Sequence, residues 1–222
     1  MSTDSSEESP DSVFMTAIAV EMGLGLIAVA LGWATNVDVR QWIPRMDPAN
    51  WLIISTGIGW GVVAAVPMLL AIALLERIDW EPIKSLQSLD DLPVVSALLR
   101  LSAAELIAIS IAAGVGEEML VRGWLMGWIT GPFATSTPVS LLLGLLISSI
   151  AFGLMHPITP AYAVIATLIG IYLGGILIWT ENLIIPIVAH AFYDAVHLLL
   201  AKREHAKGKK QKSTAPSESE GR

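Results

Sequence analysis

The chain has 222 residues, 54% of them hydrophobic and only 15% charged, with a formal net charge of −7. A soluble domain carries about 25% charged residues, so this composition argues against a soluble fold. The absence of cysteine excludes disulfides, thiolate catalysis and cysteine-ligated metal.

Residues 1–12 (MSTDSSEESPDS) contain Asp4, Glu7, Glu8 and Asp11 and no base. They read as a disordered acidic tail. The tail lacks the positive region that opens a signal peptide, so the first span is expected to be retained. A transmembrane domain is expected over 13–201. Its first two spans are predicted at 13–35 and 51–75, each near the roughly 20 apolar residues that cross a bilayer. The loop between them holds Trp33, Trp42 and Trp51, and Trp favours the headgroup level. Residues 76–93 form a polar, proline-punctuated connector. A third apolar segment, 94–129, is too long for one untilted crossing. It reads as a tilted helix or as two helices broken near Gly114 and Gly116. After the turn GPFATSTP, spans follow at 139–156, 160–179 and 183–200. Residues 202–222 read as a disordered basic tail. The expected fold is an all-α, polytopic transmembrane helical bundle of about six spans, or seven or eight if 94–129 is broken.

Lys and Arg near the span ends set orientation. Lys202, Arg203, Lys207, Lys209, Lys210 and Lys212 in the tail, with Arg77, Lys84 and Arg100 around the connector, predict that both termini are cytoplasmic in a plasma membrane. The basic tail suits anionic lipid as a partner. Without a folded basic domain, nucleic acid is not expected. The GxxxG pairs Gly123/Gly127 and Gly170/Gly174 predict close helix packing. GIGWG (57–61) lies within a span with no preceding strand and is not read as a phosphate loop.

Few ionisable residues lie inside the spans: Glu21, Glu105, Glu117, Glu118, Arg122, His156, His190, Asp194 and His197. Each costs roughly 2.5–3.5 kcal/mol at mid-bilayer on insertion scales, so they call for pairing, a wet cavity or chemistry. In GEEMLVRG (116–123), Glu118 and Arg122 are four apart and share a helix face, which predicts a salt bridge. Glu117 points about 100° away and is left without that partner, which suits a buried carboxylate to acid–base work. In AFGLMHP (151–157), His156 ends a span, and Phe152 lies one turn earlier on its face. A lone helix-end histidine is more often an interface residue. In HAFYDAVH (190–197), His190, Asp194 and His197 line one face, and a self-satisfying His–Asp pair is the plain structural explanation. Pointed at one cavity, the three clusters supply a carboxylate and a histidine to activate water, and polar groups to hold an oxyanion.

These motifs resemble those of the CPBP intramembrane proteases, the CAAX-protease and bacteriocin-processing group. GEEMLVRG is similar to their EExxxR motif, FGLMH (152–156) to FxxxH, and HAFYD (190–194) to a histidine followed four residues later by Asn or Asp. The resemblance covers about 95–200. It implies a glutamate-dependent endopeptidase in the bilayer. Glu117 would be the general base, and His156 would help hold the water. His190 and Asp194 would serve the oxyanion, with Glu118, Arg122 and Phe152 in support. Members are often labelled metalloproteases. No HExxH is present, so the sequence requires no cofactor, yet Glu117, His156, His190 and Asp194 are plausible ligands for zinc or another divalent metal. The implied partners are membrane lipid and a peptide or membrane-anchored protein substrate with a C-terminal or lipidated cleavage motif. An amide at 194 could donate to an oxyanion; ionised Asp194 would repel it. Asp194 is therefore expected to orient His190, with protonation or metal binding as alternatives. Two other readings compete. One is a proton-coupled transporter, for which no repeated halves are found. The other is a non-catalytic membrane scaffold, against which all three motifs weigh.

Overall fold

Hydroxyl or acidic side chains followed by proline start four of the helical elements, as capping chemistry dictates. A computed structural model describes residues 9–75, 77–79, 81 and 93–214. Ser9 caps α1 (Pro10–Thr35), accepting from the Ser12 amide, with proline in the first turn. Asp47 likewise caps a 3-10 turn, Pro48–Asn50, that leads into α2 (Trp51–Leu75). After α3 (Pro93–Leu98), Ser102 and Glu105 form a reciprocal capping box that opens α4 (Ala103–Glu118). This helix continues without a break through a π-helical stretch, Met119–Met126, into α5 (Gly127–Thr130). Thr137 and Ser140 box the start of α6 (Pro138–Leu154). Thr159 caps α7 (Pro160–Thr180), and α8 runs Ile184–Thr214. Among the described residues there is no strand.

The architecture is an all-α membrane helical bundle. By length and composition, α1, Pro48–Leu75, α7 and the Ile184–Lys207 part of α8 suffice to cross a bilayer, and α6 is a shorter apolar helix. Large apolar side chains point outward along these helices, among them Leu26, Leu52, Leu70, Val164 and Leu168. Such continuous apolar faces suit lipid rather than water. Inside, α4 packs on α1 and α8, α8 on α2, and α6 on both α7 and the π stretch.

Three expectations need correction. The 94–129 segment is broken, but at 99–102 and not near Gly114 and Gly116. The Ser102 box restarts the helix there, and Lys202 Nζ donates to the carbonyls of Leu99 (3.0 Å) and Leu101 (2.6 Å). The two glycines sit in unbroken helix because each is a crossing point. A Cβ on Gly114 would stand 2.8 Å from the Ile187 carbonyl of α8, and one on Gly116 would overlap the Glu21 carbonyl of α1. Secondly, residues 202–214, read as disordered tail, continue α8; Ala, Lys, Arg, Glu and Gln are good helix formers. Thirdly, Pro10–Ser12 belong to the first turn of α1 rather than to a disordered tail. Residues 1–8, 82–92 and 215–222 lie outside the described residues, and with them most of the 76–93 connector.

Candidate active site

The glycine crossings carry the two acids of GEEMLVRG to the centre of the bundle. Because Gly114 lets α8 approach α4, Glu118 faces His190 across the contact. Glu118 and Arg122 have no exposed side-chain surface, and Glu118 Oε1 accepts from Arg122 Nη1 at 2.8 Å. The same oxygen lies 3.1 Å from His190 Nδ1. Arg122 also donates from Nη2 to the Gly170 carbonyl at 2.9 Å. Gly170 has to be small here, since a Cβ would stand 3.1 Å from Ser149 and 3.2 Å from Arg122 Nη2. This side of the cluster is closed around a buried ion pair with hydrogen bonds to His190 and Gly170, which offset part of the desolvation cost, while Glu118 Oε2 and Arg122 Nε have no hydrogen-bond partner.

Phe152 lies between the closed side and the rest. The Arg122 guanidinium sits 4.7 Å above its ring centroid, a cation–π contact. The His156 ring packs tilted at 4.9 Å, and the His190 ring meets it edge-on at 5.6 Å. The Phe152 carbonyl, at the last turn of α6, lies 2.9 Å from His156 Nδ1. With Nδ1–H donating to that carbonyl, His156 Nε2 carries a lone pair. It points at Glu117 Oε2, 3.8 Å away.

Glu117 is the open member. It is 7% exposed. With both neighbouring acids ionised, its Oε2 has no hydrogen-bond partner. That oxygen is 4.0 Å from His190 Nε2, and His190 Nε2 is 3.3 Å from Asp194 Oδ2, one turn along α8. His156 and Asp194 keep 22% and 29% of their side-chain surface exposed, so the cluster opens past these two. Separations of 3.8 and 4.0 Å are too long for direct hydrogen bonds and short enough for one water oxygen to touch both partners.

The structure thus brings Glu117, Glu118, Arg122, Phe152, His156, His190 and Asp194 together. His197 is not among them; its ring stacks on Tyr193 at 5.9 Å. Two residues near the cluster carried no role from sequence. Tyr162, in the first turn of α7, has its ring 5.8 Å from His156, and a lone tyrosine at a helix start gives no local signal. Glu21 of α1 lies within electrostatic range of Asp194 and His190, and its Oε2 is buried without a hydrogen-bond partner. Its signal was an acid in mid-span with no base on its own helix.

The donor set does not fit a divalent metal as arranged. Among the described residues no three His, Asp or Glu side chains converge as a metal-binding group. Both nitrogens of His190 face carboxylates, which leaves it no free lone pair to offer when both donate.

Residues 99–196 match the family model described as type II CAAX prenyl endopeptidase Rce1-like. All three motifs fall within that segment, whereas α1 and α2 lie outside it. No curated protein and no solved structure matches the chain.

Proposed function

We propose, for a chain whose motif-bearing segment belongs to the CPBP/CAAX protease family, that it is an intramembrane endopeptidase using water activated by Glu117. The observation that carries this reading is the approach of Glu117 Oε2, buried without a hydrogen-bond partner, to His156 Nε2, 3.8 Å away at the open side of the cluster. A water held between them presents one hydrogen to each. Glu117 takes a proton as the water oxygen attacks the scissile carbonyl carbon. The C–N bond then breaks, Glu117 passes that proton to the departing amine, and the water's remaining O–H stays on the new carboxyl group.

His190 is the electrostatic partner of the developing oxyanion. A doubly protonated ring donates from Nδ1 to Glu118 and from Nε2 to Asp194, and presents its charge on the side of Glu117. Asp194 then orients and balances the imidazolium, as carboxylates do in other hydrolases. Glu118, Arg122 and Phe152 hold His190 and His156 in register. No step is assigned to a metal. The distribution of Lys and Arg supports a cytoplasmic location for both termini. A membrane-anchored substrate would enter past His156 and Asp194.

The test is cleavage of a farnesylated peptide ending in a CAAX sequence by protein in liposomes, followed by mass spectrometry. A shortened product that requires Glu117 and His156 is expected. An unchanged peptide, together with identical membrane-peptide profiles from cells expressing wild type and Glu117→Gln, would remove the support for proteolysis.

A further inference from the structure

Helices α2 and α7 both pack on α8. They reach each other where the Tyr172 hydroxyl of α7 donates to the Ala64 carbonyl of α2 at 2.9 Å, and where Met68 and Leu173 join Ala189 of α8 in a buried cluster. Beside that contact lies a cavity of about 740 Å³, lined among others by Trp60 and Pro67 of α2, Ile171, Gly175 and Trp179 of α7, and Ile185 of α8. Small-molecule sites span roughly 300–1,000 Å³. No charged side chain lines this one. Its two hydroxyls are already engaged, Tyr172 with Ala64 and Thr180 Oγ1 with the Ile176 carbonyl at 2.7 Å. Such walls hold hydrocarbon through many small dispersion contacts. Gly175 adds a second observation. Gly170 and Gly174 are small because α6 presses on them: a Cβ would stand 3.1 Å from Ser149 and 2.6 Å from Leu145. A Cβ on Gly175 would meet nothing within 4 Å. Its missing side chain widens the cavity and brings no other part of the chain closer. Trp60 and Trp179 are largely exposed, and both belong to helices that suffice to cross a bilayer, so the medium at the mouth is lipid.

We propose that this cleft binds one acyl chain of a bilayer phospholipid, at a site distinct from the catalytic cluster. Apolar walls open to the membrane are filled by the hydrocarbon beside them, since water there would be costly. Trp179 stands one residue from the end of α7, at the level where indole favours headgroups. The ester end of the chain therefore lies near Trp179, and its methyl end points toward Pro67 and Tyr172. The occupant is bilayer lipid and not the isoprenoid of a substrate, which has to bring its scissile bond to Glu117. Along α8 the order is Ile185, Ala189, His190. The fully buried Ala189, packed with Met68 and Leu173, closes the way from the cavity to the catalytic face. Binding here does not require the proteolytic reading to hold.

The test reconstitutes the full chain in phosphatidylcholine vesicles that include a phosphatidylcholine with a diazirine on one acyl chain. After irradiation and digestion, mass spectrometry should find adducts concentrated in residues 60–67 and 171–180, above those at Leu26 and Leu168, which are also exposed to lipid. Gly175→Trp, which fills the cavity from α7, should abolish the cavity adducts and leave those at Leu26 and Leu168 unchanged. Adducts spread evenly over the lipid-facing helices overturn the site, and this outcome needs only wild type, whether or not Gly175→Trp folds. Cavity adducts that persist in a folded Gly175→Trp overturn it as well. Displacement of the cavity adducts by an unlabelled farnesylated peptide would make the occupant substrate and overturn the assignment to bilayer lipid. Adducts that survive excess peptide support it.

Discussion

Glu117 and Glu118 are neighbours in sequence and opposite in circumstance. Glu118 is fully buried and shares one oxygen between Arg122 and His190. Glu117 has no cation in direct contact and faces two histidine nitrogens across gaps of 3.8 and 4.0 Å. One helical step separates a charge used to hold the bundle together from one left free for chemistry. The difference teaches that burial alone does not mark a working carboxylate. What marks it is burial without a cation in direct contact.

Substitutions on either side of this divide should separate activity from stability. Glu117→Gln should abolish cleavage, a loss of about 10²–10⁴-fold for a missing general base, with the thermal unfolding midpoint in detergent close to wild type. An unfolded Glu117→Gln would erase the distinction. Arg122→Ala should do the reverse, destabilising by about 3–5 kcal/mol because a buried carboxylate loses its ion partner, as read by denaturant titration. A well-folded Arg122→Ala would mean that His190 alone satisfies Glu118. Gly116→Ala should cost about 1–3 kcal/mol through overpacking against the Glu21 carbonyl and lower the cleavage rate as α1 is displaced. Asp194→Asn should keep the fold and reduce kcat by about tenfold or less, since the amide still reaches His190 but no longer balances its charge. Full activity in that variant would show that no negative charge is needed at 194. The smallest effect belongs to His197→Ala, expected within about 0.5 kcal/mol of wild type and fully active, because its contact is a ring stack on Tyr193.

The glycines show where sequence reading reached its limit. Gly170 and Gly174 do form a helix–helix contact, facing Ser149 and Leu145 of α6. Gly123 and Gly127 have the same spacing, yet they face Val39 and Gln41 of the loop between α1 and α2. Spacing reports that a small face exists and says nothing about what covers it. The same holds for Gly114 and Gly116, which resemble helix breakers in sequence and are crossing points in the fold.

What the sequence alone determined is what helix geometry makes local. The Glu118–Arg122 bridge, the Phe152–His156 contact and the His190–Asp194 pair are each four residues apart, and 3.6 residues per turn places such pairs together in any helical fold. Composition likewise determined that the helices belong in a membrane. Only the tertiary structure decided that His190 Nδ1 takes Glu118, that Glu117 faces His156 and that the Glu21 carbonyl of α1 backs onto Gly116. These contacts depend on the rotation of each helix about its axis and on how closely neighbours approach. Both are set by interlocking side chains from distant parts of the chain, which no local spacing records.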